Sequence, residues 1–146
     1  MKHIGLCTSG IIINEKQQIL IVKRSDADDF LPGYWVLPGG GLDYGETPDA
    51  GIRRELFEES GIHISKAKPF VVTSFVSYEN TPREKQYVEV FYLCEYDQVQ
   101  EVQISFEHSD YRWVKATEVD ELYMTDYIKD IIKQLHTEST YIGKAE

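Results

Sequence analysis

The sequence has few cysteines, no long apolar run and a shortage of positive charge, and each scarcity excludes something. Its two cysteines, Cys7 and Cys94, lie far apart with no Cys-x-x-Cys and no Cys/His cluster, which excludes a disulfide framework and a zinc knuckle and fits a reducing compartment. No apolar stretch approaches the roughly 20 residues needed to cross a bilayer. Met1-Lys2 is followed by His3, Gly5, Thr8 and Ser9, which interrupt the apolar core of a signal peptide, so a cytoplasmic protein with no membrane partner is expected. Fifteen Lys plus Arg face twenty-five Asp plus Glu, a net charge of −10 and the wrong sign for binding a nucleic-acid polymer through its general surface. A small phosphorylated ligand stays compatible with that charge if bound metal inverts the local field. What remains is a globular mix of 42% hydrophobic and 27% charged residues in 146 positions, read as one domain over 1–146. A chain of this length hides roughly 68–70% of its unfolded surface, so it builds a core without staples and any metal is functional.

The local pattern runs from strands to helices. Residues 4–13 and 18–23 are rich in Ile, Leu and Val around Asn14-Glu15-Lys16-Gln17, which predicts a hairpin. Polar residues 25–33 form a loop, Tyr34–Leu37 a short strand, and Gly39-Gly40-Gly41 a glycine-rich loop. Thr47-Pro48 reads as an N-cap with proline in the first turn, and Gly61 as the stop of the helix between them. Residues 68–78 and 86–96 predict two longer strands around a turn at 79–85, and 111–114 a brief one. Ile128, Ile131, Ile132 and Leu135 recur at helical spacing behind a Thr125 cap, a stripe that fits core packing or a homodimer contact. A mixed sheet packed between helices is the expected architecture.

The chemistry concentrates on the first helix. At about 100° per residue, Glu55, Glu58 and Glu59 share one sector of its surface. Acids at i,i+3 and i,i+4 repel by a few tenths of a kcal/mol per pair, and the last turns of a helix disfavour negative charge further. A divalent cation reverses the sign of that interaction, and an all-oxygen cluster suits Mg²⁺ or Mn²⁺ rather than zinc. A solvated acidic face, softened by an Arg54–Glu58 pair, is the plainer reading of the same residues. His3, His63, His108 and His136 show no metal-ligand spacing, although His108 beside Glu107 can approach such a site.

Gly40, Glu46, Arg54, Glu55, Leu56, Glu58, Glu59, Gly61 and Ile62 together resemble the Nudix box, Gly-x5-Glu-x7-Arg-Glu-U-x-Glu-Glu-x-Gly-U with U aliphatic, matched at every fixed position over 23 of 146 residues. The flanks are similar too: residues 19–23 ending in Arg24, Trp35–Pro38 leading into the box, and Arg112-Trp113-Val114 before a short acidic helix. The resemblance implies an α/β/α sandwich around a mixed β-sheet, and Mg²⁺-dependent hydrolysis of a nucleoside diphosphate linked to another group, with one to three metal ions. By position, it implies Glu58 and Glu59 as metal ligands, Glu55 as a further ligand or the base, and Arg54 orienting a glutamate. It further implies a Gly40 carbonyl turned to the metal and a structural Glu46. Glu107 is the candidate for a further carboxylate, as ligand or base, with Glu84, Glu89 and Glu101 as substitutes.

For the substrate, Arg24 and Gly41 are candidate phosphate contacts, and Tyr34 and Trp35 can stack on a base or sit in the core. Tyr78, 16 residues after Ile62, resembles the dinucleoside polyphosphate branch of the family, and the ADP-ribose branch's proline is missing there. The short chain resembles the branch acting on (deoxy)nucleoside triphosphates. A non-catalytic nucleotide sensor on the same fold is the alternative.

Overall fold

The computed structural model describes residues 2–137, with the side chains of His136 and Thr137 outside the description. The reading of the His136 side chain therefore lies outside the description. Among the described residues, seven strands, β1 (Ile4–Ile12), β2 (Ile19–Arg24), β3 (Trp35–Val36), β4 (Gly39–Gly41), β5 (Ile64–Ser77), β6 (Lys85–Tyr96) and β7 (His108–Val114), accompany two α-helices, α1 (Pro48–Ser60) and α2 (Asp126–Thr137). A 3₁₀ helix spans Ala116–Glu121.

The strands form two sheets. The first is mixed, in the order β4-β1-β6-β5 with only β1 and β6 parallel, and the second is antiparallel, β3-β2-β7. The predicted opening hairpin is therefore corrected. Its turn exists, with Asn14 Oδ1 accepting from Lys16 N and Gln18 N, but β1 and β2 share only the Ile13–Ile19 bridge and part into different sheets. The physical reason is that β6 takes one edge of β1 along Ile4–Ile12 and β4 takes the other at Cys7, Thr8 and Ser9. The glycine-rich loop is also corrected: Gly39–Gly41 is strand β4, its residues lying opposite Ser9, Thr8 and Cys7.

Alternation along the strands places the two helices on opposite faces. Ile12, Leu20, Tyr92 and Cys94 pack with Ile52 and Leu56 of α1, whereas their neighbours Ile11, Ile19, Ile21 and Phe91 pack with Ile131, Ile132 and Leu135 of α2. Each fully buried aliphatic side chain contributes about 1.5–3 kcal/mol. Helix α1 starts where Thr47 Oγ1 accepts from Ala50 N at 3.1 Å, and it ends where Gly61 adopts φ 73°, a left-handed turn that disfavours side chains. Thr125 Oγ1 accepts from Ile128 N at the start of α2. The α/β sandwich is therefore present, and it lays the glutamate-bearing end of α1 against β4.

Candidate active site

Helix α1 buries Gly51, Ile52, Leu56, Glu59 and Ser60, so Glu59 sits on the core stripe while Glu55 is half-buried and Glu58 lies at the surface. The sector that is uniform on a helical wheel thus runs from solvent to interior. Glu59 Oε1 accepts from Gly39 N at 3.2 Å. Burial, joined by the charges of Glu55 and Glu107, pushes its carboxyl up to about 8. Glu55 is pushed up for the same first reason, with Glu58 and Glu107 adding to it. His108 Nε2 lies 3.8 Å from Glu59 Oε1. Burial pushes this imidazole down and the Glu59 carboxyl up, both against forming an ion pair at this contact.

Arg54 binds most of the surrounding acid. It forms a two-pronged pair with Glu46, Nε to Oε2 at 2.7 Å and Nη2 to Oε1 at 2.9 Å, and donates through Nη1 to Glu55 Oε1 at 2.9 Å and Glu58 Oε2 at 3.2 Å. Its Nη2 also reaches the Gly41 carbonyl at 3.1 Å. The Arg54 hydrogen bonds hold the Glu46 carboxyl down to about 2, and Glu46 in turn accepts from Asp43 N. Gly40 passes so close that a Cβ there would lie 2.6 Å from the Glu55 carboxyl. A side chain at this position would displace Glu55.

These groups open onto one cleft of about 1110 Å³. Arg24, Gly40, Gly41, Glu55, Glu58, Glu59, Glu107 and His108 are all brought to it. Glu107 arrives on the turn before β7, where its N–H donates to Ser105 Oγ. Arg24 donates to the Phe30 carbonyl at 2.7 Å and pairs with Asp28, and its charge is felt by Glu59.

The candidate base contacts lie away from the cleft, with Trp35 taking the core position that was one of its two readings. Trp35 is in the α2-side core under the Arg112 guanidinium, and Tyr34 packs on Tyr123 at 3.9 Å between ring centroids. Tyr78 donates to Asp29 and lies beneath Arg83 on the tip between β5 and β6. None of the three lines the cleft. Of the substitute carboxylates, Glu84 pairs with Lys2 and Glu101 is on an exposed connection, whereas Glu89 does reach the cleft wall. Nor do the α1 glutamates meet as the wheel suggests. Among the described residues, no three His, Cys, Asp or Glu side chains are gathered closely enough to hold a metal ion. Arg54 draws Glu58 and Glu55 one way, while the Gly39 N–H draws Glu59 another. Even so, the donor set fits a hard divalent cation: it is all oxygen, and a carboxyl raised to about 8 chiefly by burial, with the charges of Glu55 and Glu107 adding to it, is relieved by added positive charge.

The sequence reading named Glu89 only as a substitute carboxylate and missed the polar group it forms in the cleft. Ser9 Oγ donates to Glu89 Oε2 at 2.5 Å, and Tyr127 OH donates to Glu89 Oε1 at 2.9 Å. The available signal was a lone acid amid the apolar residues of 87–94.

A family model for the NUDIX domain matches residues 4–135. A nucleoside triphosphatase NudI from Escherichia coli O139:H28 is 31% identical over 116 residues, 74% of this chain and 80% of that protein. A MutT-like protein from Streptomyces ambofaciens is 37% identical over 60 residues, 41% of this chain and 36% of that protein's length. Among solved structures, the MutT protein from Methanosarcina mazei Go1 superposes with a TM-score of 0.82 at 27% identity, covering 94% of this chain and 96% of that one. The NUDIX domain of Shewanella oneidensis NrtR complexed with ADP ribose shares the fold, with a TM-score of 0.73 at 21% identity over 94% and 90% of the two chains.

Proposed function

The chain belongs to the Nudix hydrolase family, and on that premise we propose that it hydrolyses the pyrophosphate bond of a (deoxy)nucleoside triphosphate or dinucleoside polyphosphate, with Mg²⁺, or Mn²⁺ in its place, as cofactor. The observation that carries this reading is the convergence of Glu55, Glu58, Glu59, Glu107 and Arg24 on one nucleotide-sized cleft. The triphosphate is favoured by the likeness to a nucleoside triphosphatase. Free thiols at Cys7 and Cys94 agree with a cytoplasmic location.

Glu58, Glu59 and the Gly40 carbonyl would hold the metal, with Glu55 or Glu107 completing the set. When bound, the cation screens the phosphate charge, lowers the pKa of water and aligns it with the leaving oxygen. Arg54 orients the acids: its grip on Oε1 of Glu55 fixes that carboxyl beside Gly40. Either Glu55 or Glu107 takes the proton of the attacking water. Arg24, which lines the same cleft, neutralises phosphate oxygens. The leaving group is pyrophosphate from a triphosphate, or a nucleotide from a bridged substrate.

The test is a panel of nucleoside triphosphates, dinucleoside polyphosphates, ADP-ribose and nucleotide sugars incubated with Mg²⁺, with the products identified. Nucleoside monophosphate plus pyrophosphate is expected. Tight binding of a nucleotide without turnover at full metal occupancy would instead establish the sensor.

A further inference from the structure

Glu89 is a buried carboxylate in the wall of the cleft, carried by β6 rather than by α1 or the Glu107 turn. Its hydrogen bonds come from the neutral hydroxyls of Ser9 and Tyr127. Burying a carboxylate this way is costly, and an apolar residue of similar size would pack the sheet without that penalty. Burial and the Glu89 charge push the Tyr127 phenol up, which keeps its proton in place as a donor. Each carboxylate oxygen therefore receives one hydroxyl and has a second lone pair to offer.

Position adds to chemistry. Glu89 of β6 stands opposite Cys7 of β1, and Cys7 opposite Gly41 of β4. Two strand spacings, about 10 Å, thus separate Glu89 from the glycine whose carbonyl anchors Arg54. That is the scale of one nucleoside. Leu37, Phe75 and Ile128 line the same cleft and supply apolar surface for a flat ring.

We propose that Glu89, held by Ser9 and Tyr127, is the base-reading residue of this cleft and selects 2-amino-6-oxopurine nucleotides. The inference rests on the cleft being a nucleotide site. Guanine presents adjacent N1–H and 2-NH₂ donors, a two-pronged match for two acceptor oxygens. Hypoxanthine lacks the 2-amino group. Adenine offers an acceptor at N1, which faces the carboxylate unfavourably.

The test is equilibrium binding of GMP, IMP and AMP to the full chain in metal-free buffer, so the readout does not depend on hydrolysis. A lost hydrogen bond to a charged group predicts GMP binding about 10- to 100-fold tighter than IMP or AMP. Glu89→Gln, whose amide pairs one donor and one acceptor, should remove that preference and bring AMP level with GMP or above it. Equal binding of GMP and IMP by the parent overturns the proposal, as does a Glu89→Gln variant weakened equally towards all three. If that variant fails to fold, the parent's GMP-to-IMP ratio decides alone. A guanine preference in binding, with no pyrophosphate bond hydrolysed in Mg²⁺, would overturn the hydrolase reading and leave this one standing.

Discussion

Replacing Glu59 by Gln should stabilise the metal-free protein at alkaline pH while weakening its response to metal. The Glu59 carboxyl has an ordinary value of 4.5 and is pushed up to about 8 in the fold, chiefly by burial. Below pH 4.5 the group is protonated whether the chain is folded or not, and it adds no pH dependence. As pH rises from about 4.5 to about 8 the unfolded chain releases the proton and the folded chain keeps it, so folding stability declines across that window. At 1.36 kcal/mol per unit, the 3.5 units between 4.5 and 8 set a ceiling of about 5 kcal/mol. Even about 2 kcal/mol of it would move the melting temperature by roughly 6 °C in a chain of this size. His108, pushed down by burial, works in the opposite sense below its ordinary value of 6.5, so the comparison needed is variant minus parent. The Gln carbonyl still accepts from Gly39 N, which keeps the geometry. Thermal unfolding at pH 5 and pH 8, in EDTA and in Mg²⁺, measures the difference. The variant should exceed the parent far more at pH 8 than at pH 5 in EDTA, and gain less from Mg²⁺. An equal difference at both pH values would refute the reasoning.

Four further outcomes are expected. Glu58→Gln, at a surface position, should leave the melting temperature within about 1 °C and lower Mg²⁺-dependent turnover more than about 100-fold, since even outer-shell losses cost 10- to 100-fold. Gly40→Ala should displace the Glu55 carboxyl and lower kcat about 10- to 100-fold, read by steady-state kinetics beside an unchanged circular dichroism spectrum. Arg54→Lys should lose the two-pronged Glu46 pair and cost about 1–2 kcal/mol in denaturant unfolding, because an ammonium cannot reproduce the guanidinium fork. Tyr78→Phe should leave KM for every accepted nucleotide unchanged, because its hydroxyl meets Asp29 outside the cleft.

Local signals were legible in the sequence and long-range ones were not. Thr47, Pro48 and Gly61 announce α1 to the residue, because caps and stops depend on neighbours in the chain. The sheet division was hidden, since β1 takes as partners β6, 82 residues away in register, and β4 rather than the adjacent β2. Gly39–Gly41 has the composition of a loop and becomes a strand because the edge of β1 is available to it. The helical wheel placed Glu55, Glu58 and Glu59 on one sector but could not see Arg54 and the Gly39 N–H dividing them. The Ser9–Glu89–Tyr127 group joins three elements distant in sequence, and only the lone acid in an apolar strand hinted at it.

The central claim is that the acids of α1 act through a divalent cation on a nucleotide pyrophosphate. Hydrolysis of nucleoside triphosphates in ¹⁸O-water with Mg²⁺, followed by phosphorus NMR for the parent and Glu58→Gln, tests it most directly. The account predicts nucleoside monophosphate and pyrophosphate, one of them carrying the label, from the parent and almost none from the variant. Equal turnover by both proteins, or equal turnover by the parent in excess EDTA, would contradict it.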